Sequence, residues 1–146
     1  MKYLKPKPDY VLLVDDCIAT NFLHQLTIMS TGHPSEILTF ETVHEGMEFL
    51  ENKFQEKKDN SILLFLDINM PGLNGWDFLS ECKNDGFDPA NLVIIILTAA
   101  ALNKEDENLL FENPLVKGIL PKPLDVDMIE NVWVNNFSGS LQTQVK

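Results

Sequence analysis

Apolar runs rich in β-formers alternate along the chain with segments whose apolar residues recur at helical spacing. Tyr10–Val14 (YVLLV) is short and continuous and ends abruptly in Asp15-Asp16, the pattern of a buried strand. Thr20 to Ser30 places Phe22, Leu23, Leu26 and Met29 at helical spacing, and Gly32 followed by Pro34 stops that helix. Glu36–Phe40 predicts a second, weaker strand. Val43–Lys57 is amphipathic, with Val43, Met47, Leu50 and Phe54 on one stripe. Ser61–Leu66 (SILLFL) is again wholly apolar and ends in Asp67. The loop through Asn69, Pro71, Gly72 and Gly75 leads into a helix carrying Trp76, Phe78, Leu79 and Cys82. Leu92–Leu97 (LVIIIL) ends at Thr98, and Asn103–Glu112 is a polar helix bearing Leu109, Leu110 and Phe111. Lys117–Leu120 predicts a short fifth strand running into Pro121-Lys122-Pro123. Asp125 then caps a last helix through Ile129, Trp133 and Phe137.

The order is therefore (βα)5. Strands apolar along their whole length are buried on both faces, which implies an α/β, doubly wound parallel five-stranded sheet with helices on each side. Right-handed crossovers bring every strand's C-terminal end to one edge. Proline is tolerated in edge strands and not central ones, so Pro121 sends the fifth strand to the margin, as in the flavodoxin-like order 2-1-3-4-5. The expected division is a flexible N-terminal arm at 1–8, one domain at 9–137 and a polar tail at 138–146.

Composition narrows the function. Of 146 residues, 22 are acidic and 11 basic, every basic one a lysine, for a net charge of −11. Without a basic face the chain is a poor nucleic-acid binder, and it is equally unsuited to anionic lipid. A chain of this length buries roughly 70% of its unfolded surface and needs no metal or disulfide to hold a core. Cys17 and Cys82 form no CxxC pair, the start has no apolar signal region, and no apolar run approaches the roughly 20 residues of a membrane span. A reduced, cytoplasmic protein without membrane insertion is expected.

Four of the five strands deliver a polar group as they leave the core: Asp15 and Asp16 after the first, Asp67 after the third, Thr98 after the fourth and Lys122 after the fifth. In an open parallel sheet, ligands bind at those carboxyl ends. Three carboxylates in one cleft repel one another and call for a cation. Oxygen ligands without His or Cys suit Mg²⁺, which keeps waters and accepts phosphate oxygens. An aspartate can then act as nucleophile towards a phosphoryl group, with Lys122 and Thr98 as fixed cation and hydroxyl.

The set Asp15-Asp16 after VLLV, Asp67-x-Asn69-Met70-Pro71-Gly72-x-x-Gly75, Thr98-Ala99 and Lys122-Pro123 closely resembles the receiver domain of bacterial response regulators (CheY-like), from about Asp9 to Phe137. The resemblance implies that Asp67 is the phosphoacceptor. Asp16, the Asp67 side chain and the Asn69 backbone carbonyl would hold Mg²⁺, with Asp15 acting mainly through water. Thr98 would reach the phosphoryl oxygen, Lys122 would pair with Asp67, and the Lys122–Pro123 bond would be cis. The donor would be a histidine kinase or histidine phosphotransfer protein. Self-phosphorylation and self-dephosphorylation would be the only chemistry. With the chain ending about where the last helix should, no output domain is expected, and the signal would leave by protein contact over Asn103–Phe137 or by onward phosphotransfer.

Two positions depart from the family pattern. Ile119 stands where an aromatic switch residue is usual, three before Lys122, and Ala100, two after Thr98, is small and apolar beside the phosphoryl position. Ile119 keeps a phosphorylation-independent adaptor in view as the alternative. A haloacid-dehalogenase-type phosphatase would need an aspartate general acid at Asn69, and an FMN carrier would need a phosphate cradle in place of Asp15-Asp16. His24, His33 and His44 share no ligand spacing and read as surface or helix residues. The neighbouring carboxylates are expected to discourage thiolate formation at Cys17, while part of Trp133 or Phe111 is a candidate contact for a partner.

Overall fold

The computed structural model describes residues 5–33, 35–70 and 75–137. The tail at 138–146, the first residues of the expected arm, and Pro71 and Gly72 of the loop lie outside the described residues. Five strands, β1 (Tyr10–Val14), β2 (Glu36–Phe40), β3 (Ile62–Asp67), β4 (Leu92–Thr98) and β5 (Val116–Pro121), alternate with five helices, α1 (Ile18–Ser30), α2 (Val43–Glu56), α3 (Gly75–Asp85), α4 (Lys104–Phe111) and α5 (Val126–Asn136). The sheet order is β2-β1-β3-β4-β5, with all pairs parallel.

The strands with the longest apolar runs take the centre. Every residue of β3 and β4 is buried, whereas β2 and β5 at the margins are only partly covered. Alternate side chains go to opposite faces. Leu12, Val14, Leu64, Leu66, Ile94 and Ile96 pack with Met47, Leu50, Phe78 and Leu110 from α2, α3 and α4. Val11, Leu13, Leu63, Phe65 and Ile95 pack with Ile28 of α1 and with Ile129 and Trp133 of α5. Each such side chain stabilises the fold by roughly 1.5–3 kcal/mol relative to exposure. Pro121 closes β5 opposite Thr98, so the proline sits on a margin as its missing N–H requires.

Helix starts follow their caps. Thr42 Oγ1 accepts from Glu45 N–H, Asn103 Oδ1 from Asp106 N–H and Asp125 Oδ1 from Met128 N–H. Beyond the end of α1 the chain turns at Gly32 with φ +78, a left-handed conformation natural to glycine. It then reaches His33, whose ring stacks on Trp133 at 4.1 Å and 9°, while its Nε2 lies 2.6 Å from Glu130 Oε1. This contact ties the α1–β2 turn to α5.

Two expectations fail here. His33 is buried and lies outside any helix, whereas His24 is the helix residue expected though buried, and Trp133 is fully buried and leaves no part free for a partner. In both cases helical or loop position gave the location along the chain without showing which way the side chain faced.

Candidate functional site at the C-terminal sheet edge

The apolar strands end together, and their first polar residues converge. Asp15, Asp16 and Asp67 each place a carboxylate oxygen within 4.8 Å of the others. Asp15 and Asp67 are buried and Asp16 is exposed, so the cluster has a closed floor and an open side. Lys122 Nζ donates to Asp15 Oδ2 at 3.0 Å and lies 3.4 Å from Asp67 Oδ2. The lysine thus pairs more closely with Asp15 than with Asp67.

Backbone donors hold the remaining oxygens. Cys17 N–H donates to Asp15 Oδ1 at 2.9 Å, and Asn69 N–H donates to Asp67 Oδ1 at 3.2 Å. Lys122 N–H donates to the Thr98 carbonyl at 2.9 Å, locking the ends of β4 and β5 side by side. Thr98 is buried, Ala100 and Asn69 are exposed, and the Lys122–Pro123 bond is cis. Ile119 pairs with Ile96 and is half-buried against the α2–α3–α4 side of the core. Gly75, the first residue of α3, is there by necessity. A Cβ would meet Ile68 Cα at 2.8 Å and the Asp67 carbonyl at 3.0 Å.

Burial, and then the Asp15 charge, push the Asp67 carboxyl above the usual aspartate range, against the opposing pull of Asn69 N–H and Lys122. Burial works against the Lys122 ammonium, yet its hydrogen bond and attraction to Asp15, with help from Asp67, leave its pKa raised. The pocket is therefore short of positive charge even with the lysine in place. An oxygen-only donor set with excess negative charge fits a hard divalent cation: Asp15, Asp16 and Asp67 supply the ligand oxygens, and nothing softer stands among them. Cys17 departs from expectation. Asp15 does disfavour its thiolate, but hydrogen bonds from Thr20 outweigh this and lower the pKa.

The response regulator receiver domain matches residues 11–133. The chain belongs to that family. Protein PilH of Pseudomonas aeruginosa is 29% identical over 119 residues, covering 82% of this chain and 89% of that protein. A two component response regulator from Cytophaga hutchinsonii has a TM-score of 0.76 at 27% identity, over 88% of this chain and 96% of that one. Vibrio cholerae chemotaxis protein CheY4 has a TM-score of 0.67 at 20% identity, over 90% and 100%, a likeness of fold. As a receiver domain the protein is a phosphoacceptor switch of two-component signalling, and such domains are signalling switches rather than enzymes. Receiver domains bind Mg²⁺ at an acidic pocket and interact with histidine kinase or phosphotransfer partners.

Sequence reasoning missed which side of α1 faces the sheet in this receiver domain. The helix has no charged residue, and its buried positions are Asn21, His24 and Ile28. Its exposed positions include Ile18, Phe22, Leu23, Leu26 and Met29. The absence of charge from a 13-residue helix in so acidic a chain was the available signal.

Proposed function

We propose that Asp67 takes a phosphoryl group from a phosphohistidine on a histidine kinase or phosphotransfer protein, with Mg²⁺ held by Asp15, Asp16 and Asp67 together with the Asn69 backbone carbonyl. The observation that carries this reading is the buried Asp67 carboxylate, set between two further aspartates and a lysine that bridges to one of them. An Asp67 oxygen attacks phosphorus, the phosphorus–nitrogen bond breaks, and the histidine leaves with the electron pair. Bound Mg²⁺ would offset charge on the phosphoryl oxygens. Lys122 offers the fixed cation on the other side, and the Thr98 hydroxyl a donor to a phosphoryl oxygen. About two added negative charges then draw Thr98 and Lys122 inward and bias the surface from Asn103 to Phe137, where Leu109, Phe111 and Val126 are exposed. Half-buried Ile119, on β5 next to β4, would carry the change by packing alone.

The donor's approach is over α1. The exposed stripe begins at Ile18, two residues after Asp16 at the open side of the pocket, and offers apolar area without charge. Incubation with Mg²⁺ and phosphoramidate, followed by intact mass measurement, is expected to add one phosphoryl group to the native protein and none to Asp67→Asn. Failure of the native protein to gain that mass favours the phosphorylation-independent adaptor.

A further inference from the structure

A helix lying on a sheet normally turns apolar residues inward, and α1 turns in two polar ones, each of which grips a loop of the pocket. Asn21 Nδ2 donates to the Asp15 carbonyl at 2.9 Å and to the Phe40 carbonyl at 3.3 Å. One turn on, His24 Nε2 accepts from Leu124 N–H at 3.2 Å. His24 is 1% exposed, so water cannot stand in for either partner. An acceptor Nε2 fixes the tautomer, with the proton on Nδ1 and the ring neutral. Burial, reinforced by Lys122 and opposed by Asp15, lowers the His24 pKa and keeps the ring in that form.

Leu124 lies two residues beyond Lys122. The Lys122 backbone is therefore held on both sides: its own N–H goes to Thr98 of β4, and the N–H of Leu124 goes to His24 of α1. Between these ties the side chain reaches Asp15 and Asp67.

We propose that His24 is a positioning residue for phosphotransfer, holding the turn after Lys122 so that the ammonium reaches Asp15 and Asp67 together. The role rests on Asp67 being the phosphoacceptor. A histidine that only satisfied a buried N–H would affect stability. A positioning histidine also sets the rate of chemistry in protein that is fully folded.

His24→Leu removes the acceptor, and His24→Gln offers an amide oxygen near the place of Nε2. Phosphorylation by phosphoramidate at saturating Mg²⁺ is followed by intact mass over a range of donor concentrations, below the melting transition of each protein. At saturating donor H24L is expected to react about tenfold more slowly than native and H24Q to lie within about twofold of it. Mg²⁺ affinity should stay within about twofold in all three. A native rate in H24L, or an H24Q as slow as H24L, overturns the positioning role alone. A native protein that takes up no phosphoryl group overturns the phosphoacceptor reading and this role with it. Should H24L fail to fold, His24→Asn, whose shorter amide falls short of Leu124, takes its place. Long-range ¹H–¹⁵N NMR of the native protein is expected to show His24 Nε2 unprotonated, and a proton on Nε2 overturns the proposal without any variant.

Discussion

Lys122 and Asp15 stand 107 residues apart in the chain and meet at 3.0 Å, the lysine ammonium leaning on one aspartate while staying 3.4 Å from another, Asp67. The lysine is thus part of the resting electrostatics of the pocket before any phosphoryl group arrives. It would also compete with a divalent cation for the same carboxylates.

Replacing Lys122 with Gln leaves Asp15 and Asp67 facing each other without a counter-charge. In EDTA the variant is expected to lose about 2 kcal/mol in urea unfolding, between the limits for exposed and fully buried pairs. Mg²⁺ should restore much of that loss and bind more tightly than to the native protein, which Mg²⁺ titrations of the melting temperature would show. Equal Mg²⁺ responses in the two proteins would contradict the competition.

The raised Asp67 pKa makes a pH prediction with a definite sign. The folded chain keeps on Asp67 a proton that the unfolded chain releases near the ordinary value of 3.8. Stability from this group is therefore present at low pH and lost as pH rises through the higher folded value. In EDTA, native stability relative to Asp67→Asn should fall as pH climbs above 3.8 and then level off. A difference that stays flat or rises would refute the assignment. Above that window the neutral amide should be the more stable protein.

How far the chain could be read in advance differs by element. β3 and β4 were plain because a strand buried on both faces has no polar positions to blur it. The convergence of Asp15, Asp16, Asp67, Thr98 and Lys122 followed from parallel topology, since all strands then end at one edge. The orientation of α1 did not follow. Spacing of Phe22, Leu23, Leu26 and Met29 shows that a stripe exists and not what it faces, and here the stripe faces outward. His24 could not be placed for the same reason. Its partner is a backbone N–H 100 residues away, which leaves no trace in composition.

Gly75 tests how tightly the helix after Asp67 must approach. Gly75→Ala would set a methyl group 2.8 Å from Ile68 Cα, and backbone cannot swing aside as a side chain can. A loss of about 2–3 kcal/mol is expected in urea unfolding, with slower phosphorylation because the displaced residues adjoin Asp67. A stable, fully active alanine variant would show the contact to be relaxed.

The outer stripe of α1 separates docking from chemistry. Phe22→Glu with Leu26→Glu replaces two exposed apolar side chains, so stability should change by no more than about 0.5 kcal/mol per site. Phosphorylation by phosphoramidate should be native-like, while transfer from a protein donor should fall at least about tenfold. Equal loss with both donors would mean that the helix, and not its surface, had been disturbed.

Pro121 has a consequence for how copies of this chain behave in a crowded solution. A strand at the margin of a sheet is a template on which another chain can add by hydrogen bonding. β5 ends in a residue with no N–H to offer, and it carries the exposed charge of Lys117 along its length. The residue that leads into Lys122 therefore also blunts the sheet's open margin against strand addition, at the end nearest the aspartate cluster.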